Sequence, residues 1–459
     1  MPESKGNEIA ARKAALDILN ALDRGHDLLD KVMEDFAGDR MSALSPEDRR
    51  LANAIVFGVL RWRRRLDWII RQHAAMPLDK ISPEIRNILR IALFQMLFLD
   101  RVPDFAAVDT SVEIAKRFVS IKSSRFVNGL LRNTLRKLPS DINAILPDDA
   151  VAALAVSSSF PDWLIHRWVS RHGIDETARL CEAMNQIPPL TIRTNTLKID
   201  RQSLMAMLYE VCEDVYKTEY TPDGLSFYSP VKPIDQLAPF KNGLFQVQDE
   251  AAQVASYLLL PEPNETILDA CAGLGGKTGH IAQLMENSGK IFAVDKDEEK
   301  LTRLTNEMNR LGISIVNTCP INFDQPDWQK LPETFDRILL DAPCSGLGVI
   351  RRNPDIKWAA HKKDLKRFAK RQLAYLDELS QRLAPSGILV YAVCTTEPEE
   401  TDGIIEKFLK LHPEFGMVAG TSGLPGNFRK IVDHNGVFRS LPHMQGMDGF
   451  FAVRLKRRS

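Results

Sequence analysis

Three successive folds are predicted from this sequence of 459 residues: an all-helical domain over residues 1–141, a small α+β module over 142–253, and a doubly wound α/β domain over 254–459. Three observations carry that division. Apolar residues recur at three- and four-residue intervals, without strand signals, from Glu8 to Leu138. Short alternating runs bounded by turn residues follow. From Glu265 onward, strand-like apolar segments alternate with amphipathic helices, as in a parallel sheet covered on both faces.

In the first region the helical period is carried by Ala15, Ile18, Leu19 and Leu22, and again by Leu51, Ile55, Val56, Val59 and Leu60. Ser45-Pro46-Glu47-Asp48 and Ser82-Pro83-Glu84 each set an N-cap residue before proline, with acids in the first turn. The middle region opens with short helices around Trp163 to Trp168. It continues through the alternating run Leu190 to Asn195 and a turn at Tyr220-Thr-Pro-Asp-Gly224. In the last region Thr266–Asp269, Ile291–Asp295, Arg337–Asp341 and Gly387–Ala392 read as strands. Ligands of such sheets bind at the carboxyl ends of the strands, and each of these segments ends beside a polar or glycine-rich stretch.

Composition excludes several classes. With 44% hydrophobic and 26% charged residues, the chain can build soluble cores and has no stretch biased toward disorder. The segment from Met1 to Leu16 lacks the apolar block of a secretory signal, so a cytosolic protein is expected. The most apolar run, Ile91 to Leu99, is far short of the roughly 20 residues that span a bilayer, and no membrane contact is expected. Six cysteines, Cys181, Cys212, Cys271, Cys319, Cys344 and Cys394, stand singly. That spacing argues against a disulfide framework and against a metal site.

Lys plus Arg balances Asp plus Glu at 60 each, so any nucleic acid must be held by local charge. Lys116, Arg117, Lys122, Arg125, Arg132, Arg136 and Lys137 occur without an intervening acid. A second basic run extends from Arg351 to Arg371 around Trp358. Taken by themselves, both read as solvated helix faces.

The stretch Asp269-Ala-Cys-Ala-Gly273-Leu-Gly275-Gly276-Lys277-Thr278-Gly279-His280 follows a strand and opens a helix. A phosphate-binding P-loop requires glycine where Cys271 stands, and a dinucleotide fingerprint requires glycine where Thr278 stands. A third reading is an S-adenosylmethionine loop: glycines admit close backbone approach, the helix N-terminus meets the methionine carboxylate, and Lys277 adds positive charge. Asp295, ending the next strand, is placed to accept ribose hydroxyls. At this level an adenosyl or a dinucleotide ligand fits.

Phe335-Asp-Arg-Ile-Leu-Leu-Asp341-Ala-Pro343-Cys344-Ser345-Gly346 and Leu389-Val-Tyr391-Ala-Val-Cys394 each set a cysteine at the ligand-bearing edge of the sheet. A lone cysteine there is more often packing than chemistry; two shift the balance. Methyl transfer to carbon 5 of cytosine needs such groups, because the ring must first be activated by thiolate addition at carbon 6. One cysteine for attack, another for release, and Asp341 near ring nitrogen 3 form a sufficient set.

These segments resemble the RsmB (Sun/Fmu) family of ribosomal RNA 5-methylcytosine methyltransferases. The resemblance rests on DACAGLGGKTGHI, AVDKDEEKL, FDRILLDAPCSGLGVIRRNPDIKW, LVYAVCTTEPEE and DGFFAVRLKR. The helical segments FGVLRWRRRLDWII, LRIALFQMLFL and FVNGLLRNTLRK are similar to the family's NusB-type RNA-binding domain. The resemblance implies a Rossmann-like class I methyltransferase domain that uses S-adenosyl-L-methionine to methylate small-subunit (16S) ribosomal RNA, in a chain expected to be a monomer. It further implies that Cys271, Ala272, Gly273, Leu274, Gly275, Gly276 and Lys277 line the cofactor. Asp295 would hold the ribose, either Asn322 or Asp324 would approach the adenine, and Asp341 would lie beside cofactor and base. Cys394 matches the nucleophile and Cys344 the cysteine of product release. Two departures stand out: Gly273-Leu274 replaces the usual Ala-Pro, and Val393 replaces the usual Thr. The rival expectation is a non-catalytic RNA-binding or ribosome-assembly factor that keeps the fold.

Overall fold

The computed structural model describes residues 3–25, 28–36, 43–139 and 141–457. The chain clusters into two compact units, Met1–Gln186 with Ile350–Ala360, and Ile187–Val349 with His361–Ser459. Met1 and Pro2, part of the segment read above for a signal, lie outside the described residues.

Among its described residues the first unit contains only helices as regular elements, including Glu3–Arg24, Leu29–Phe36, Pro46–His73, Pro83–Phe98, Asp104–Phe118 and Ile121–Lys137. Ser45 caps the third of these: its side chain accepts the Asp48 N–H at 3.1 Å, and Pro46 fills the first turn where no donor is needed. Ser82 stands at the corresponding position of the fourth without a side-chain bond. The expected apolar stripe, including Ile18, Ile55, Val56 and Val59, is buried in one core with Ile88 and Leu93. All seven cations between Lys116 and Lys137 are exposed.

Residues 142–186, read above with the middle module, cluster with this unit. They form the helices Ala150–Ser157, Asp162–His172 and Ile174–Asn185, and Trp168 packs edge-on against Phe160 at 5.6 Å. The segment 350–360 also belongs here, which corrects the reading of the second basic run as one solvated face. Lys357 is fully buried. Its ammonium donates to the Arg61 and Ser159 carbonyls at 3.0 and 3.3 Å and to Asn185 Oδ1 at 2.6 Å. Trp358 Nε1 donates to the Leu60 carbonyl at 2.6 Å. Charge composition alone could not distinguish such an anchor from a wetted cation, because the difference is made by acceptors 172 to 296 residues away.

The second unit holds two sheets. The smaller is antiparallel, with strands β1 (Leu190–Thr194), β2 (Glu213–Lys217), β3 (Gly224–Tyr228) and β4 (Phe245–Val247) in the order β2-β3-β1-β4. The larger comprises β5 (Thr266–Ala270), β6 (Lys290–Asp295), β7 (Val316–Pro320), β8 (Phe335–Asp341), β9 (Leu383–Val393), β10 (Phe415–Met417), β11 (Val437–Ser440) and β12 (Phe450–Arg457). Its order is β10-β12-β9-β8-β5-β6-β7, with β11 on β12. Strands β5 to β9 run parallel, and β12 returns antiparallel beside β9.

Alternation along β5 sends Ile267 to one apolar core and Leu268 to the other, as a sheet covered on both faces requires. The strand order reverses at β5, between β6 and β8. Crevices for ligands open at such switch points, outside the carboxyl ends of the strands. Among the described residues, no helix is long and apolar enough to cross a membrane, and no His, Cys, Asp or Glu group is suited to hold a metal.

Candidate active site

Strand β5 feeds a loop bent by three left-handed residues, Cys271, Gly273 and Gly275, with φ of 61°, 56° and 82°. Gly275 is needed twice over. Its φ disfavours any side chain, and a Cβ there would lie 2.6 Å from Leu304 Cγ. The loop is pinned by Ala272 N–H donating to the Val294 carbonyl at 2.9 Å and Gly273 N–H donating to Asp295 Oδ2 at 3.0 Å. Below it, Asp269 is buried; one carboxylate oxygen accepts Thr278 Oγ1 at 2.6 Å, and the other has no partner among the described residues. Burial pushes the Asp269 carboxyl up to about 7, against the opposing Thr278 hydrogen bond.

A cavity of about 190 Å³ opens beside this loop, lined by Cys271, Asp295, Asn322, Phe323, Arg371 and Tyr375, among others. Nothing lies within 4 Å of where a Cβ would stand on Gly273 or Gly276, so the backbone there faces open space. The helix Gly276–Leu284 starts at this point, and its first amides have no acceptor inside the helix. An aromatic ring, an amide, a carboxylate and open glycine backbone at a helix N-terminus fit a ligand bearing a planar base, ribose hydroxyls and a carboxylate. S-adenosyl-L-methionine has these parts. Of the two residues left open near the adenine, Asn322 lines the cavity. Asp324 instead accepts the Tyr375 hydroxyl at 3.1 Å.

Lys277 is held at the end of β8. Rather than lining the cavity, its ammonium stands 2.5 Å from Asp341 Oδ2 at the end of β8 and 5.4 Å from the Phe450 ring centroid. Burial acts to lower the Lys277 ammonium, but the Asp341 charge and hydrogen bond, with Cys394 and Asp269, hold it above its ordinary value. Lys277 is thus a fixed positive charge within electrostatic reach of Cys394.

The two cysteines meet. Asp341 pairs in register with Ala392, so the residues following β8 and β9 leave the sheet side by side. Cys344 Sγ and Cys394 Sγ lie 3.2 Å apart, and both residues are half-buried. The backbones are locked together as well: Gly348 N–H donates to the Cys394 carbonyl at 3.0 Å, and Gly449 N–H to the Gly348 carbonyl at 2.9 Å. The Cys394 contact, then burial, then the nearby Glu400 hold the Cys344 thiol well above its ordinary range. The remaining cysteines have other surroundings; Cys181 is fully buried in the helical unit and pushed up to about 12 by that burial.

The structure therefore brings together Cys344, Cys394, Asp341 and Lys277 in one cluster, and Cys271, Asp295 and Asn322 around the adjacent cavity. Of the other loop positions, Gly273 and Gly276 present bare backbone, and Leu274 is 47% exposed. Val393 is fully buried in the apolar core. Sequence reading missed Phe323, Arg371 and Tyr375. Phe323 lay between the two candidate polar residues, and Arg371 closed a basic run whose helical period could have oriented it toward the sheet edge.

Comparisons with known proteins agree with this architecture. Residues 256–456 match the family described as 16S rRNA methyltransferase RsmB/F, residues 9–136 the NusB family, and residues 160–233 the RsmF/B-like ferredoxin-like domain. A probable ribosomal RNA small subunit methyltransferase B from Synechocystis is 36% identical over 449 residues, covering 98% of this chain and 100% of the relative. One from Bacillus subtilis is 34% identical over 421 residues, covering 91% and 93%. The structure of a methyltransferase homolog from Pyrococcus horikoshii, 27% identical, superposes with a TM-score of 0.58 over 68% of this chain and 100% of its own. On sequence, fold and the composition of its active-site rim, the chain belongs to the RsmB/F family of 16S rRNA methyltransferases.

Proposed function

We propose that this enzyme transfers a methyl group from S-adenosyl-L-methionine to carbon 5 of one cytosine in small-subunit ribosomal RNA, through a covalent bond between Cys394 and carbon 6 of the base. The observation that carries this reading is the pair of thiols 3.2 Å apart, beside the Lys277–Asp341 ion pair. A structural cysteine needs neither a second thiol nor a buried ammonium at its side.

When bound, S-adenosyl-L-methionine supplies an electrophilic methyl group. Asp295, Asn322 and the glycine backbone of residues 273–276 hold and orient it. The target base must be unpaired or turned out of its helix to reach the rim. Cys394 attacks as the thiolate, forming the sulfur–carbon 6 bond, and the ring electron density moves toward nitrogen 3. Asp341, which accepts the Lys277 ammonium, relays a proton from it to nitrogen 3 as that charge develops. On release the carbon 5 proton passes to solvent water, the carbon 5–carbon 6 double bond re-forms and the sulfur–carbon bonding pair returns to Cys394; the Cys344 thiol, 3.2 Å away, stands close enough to donate to the departing sulfur. In this reading, residues 1–141 supply RNA contacts through the exposed cations from Lys116 to Lys137, 142–253 position the RNA, and 254–459 perform the chemistry in the cytosol.

Bisulfite mapping of small-subunit RNA from cells with and without the gene tests the proposal. One cytosine should lose its protection when the gene is deleted and regain it with the wild-type copy but not with Cys394→Ala. Unchanged protection at every cytosine after deletion contradicts it.

A further inference from the structure

The two thiols that face each other are chemically alike, yet the reaction gives them different tasks. We propose that Glu400 is the positioning residue that sets them apart, fixing the Cys344 loop and holding Cys344 as a neutral thiol so that Cys394 alone attacks. This inference rests on the function proposed above and concerns a residue outside the predicted site.

Glu400 is completely buried, where a carboxylate persists only if its oxygens are satisfied. They are satisfied entirely by donors. Oε1 accepts Ser345 N–H at 2.9 Å and Gln372 Nε2 at 3.0 Å, and Oε2 accepts Ser345 Oγ at 2.5 Å. Burial raises the Glu400 carboxyl above its ordinary value, and the Ser345 and Gln372 hydrogen bonds act against that rise, favouring the ionised form without cancelling the effect of burial. Every one of these contacts falls on the residue after Cys344 or on a side chain that holds the residue before it, since Gln372 Nε2 also donates to the Pro343 carbonyl at 3.0 Å.

The same carboxylate reaches the other loop. Ser345 Oγ lies 3.1 Å from Thr395 Oγ1, next to Cys394, and the Tyr391 hydroxyl on β9 donates to the Glu400 carbonyl at 2.7 Å. Glu400 thereby spaces the two thiols through the neighbours of both.

Its charge acts unequally. Cys344 faces Cys394 and Tyr391 from β9 and the Glu400 carboxylate from the following loop. Cys394 faces Cys344 and the Lys277 ammonium, which is paired with Asp341. A negative neighbour on one side and a positive one on the other make the two sulfurs inequivalent.

Thiol titration on the full chain, without RNA or methyl donor, tests this. Iodoacetamide modification of Cys344, followed by mass spectrometry against pH in a Cys394→Ala background, should shift its midpoint at least one pH unit lower when Glu400→Gln is added. Ser345→Ala, which removes a hydrogen bond but keeps the charge, should leave that midpoint within a few tenths of a unit. In the otherwise wild-type enzyme, Glu400→Gln should lower kcat for RNA methylation at least tenfold with KM for RNA unchanged. A midpoint that does not move in Glu400→Gln, or that moves equally in Ser345→Ala, overturns the proposal. Because the titration requires no turnover, its failure is distinguishable from failure of the methyltransferase assignment, which the bisulfite map decides.

Discussion

The Lys277 ammonium lies 2.5 Å from the Asp341 carboxylate, joining the first turn after the glycine-rich loop that follows β5 to the end of β8. In the proposed mechanism the lysine therefore acts on the side that activates the base. Lys277→Met leaves Asp341 without its counter-ion and removes the positive charge near Cys394. Steady-state methylation should show kcat lowered by roughly 10²- to 10³-fold, the scale of losing one preorganised electrostatic group. A kcat within threefold of wild type would show that the ion pair serves folding alone.

Cys344→Ala removes the thiol 3.2 Å from Cys394 Sγ, the attacking atom of the proposed mechanism, without touching the Lys277–Asp341 pair. Attack should persist while elimination slows, so a protein–RNA adduct should accumulate and survive a denaturing gel. Normal turnover with no adduct would assign release to another group.

Asp269 gives a pH signature in stability rather than activity. Its carboxyl is raised from 3.8 to about 7 by burial in the folded state. The folded protein thus binds this proton more tightly than the unfolded chain. The resulting stabilisation is fully present below about pH 3.8 and is lost as pH rises through about 7. Asp269→Asn, which cannot ionise, should gain stability relative to wild type as pH rises from 4 to 8, by an amount on the order of a few kcal/mol. Denaturant titrations at intervals across that range would measure the difference; one that is flat with pH would refute the assignment.

Gly348 sits where two backbones nearly touch. A Cβ there would fall 1.9 Å from the Gly449 carbonyl oxygen and 2.9 Å from that of Cys394. Gly348→Ala should therefore destabilise the second unit by about 1–3 kcal/mol, the usual range for overpacking, and should slow methylation by displacing Cys394. An unchanged melting temperature would mean that the loops separate freely.

Much of this site was legible because the residues that form it are short-range signals. A strand followed by glycines, and acids or cysteines at strand ends, locate β5, β6, β8 and β9 and the groups they carry. The antiparallel return strand β12 was not read as a strand, although its Phe450-Phe-Ala-Val run is apolar: nothing local says that it pairs with β9. Lys357 and Glu400 were opaque for a related reason. Both are charged residues in polar stretches, and burial is conferred on them by Arg61, Ser159 and Asn185 in one case and by Ser345 and Gln372 in the other. Lys277 could be placed in the loop but not oriented, since its partner lies 64 residues away.

The most direct measurement uses RNA in which the target cytosine carries fluorine at carbon 5, so that the final proton loss is blocked. Incubation with the wild-type enzyme and S-adenosyl-L-methionine, followed by peptide mass spectrometry, should find the nucleotide attached to Cys394. Attachment to Cys344 instead, or no attachment under conditions where ordinary RNA is methylated, would contradict the account.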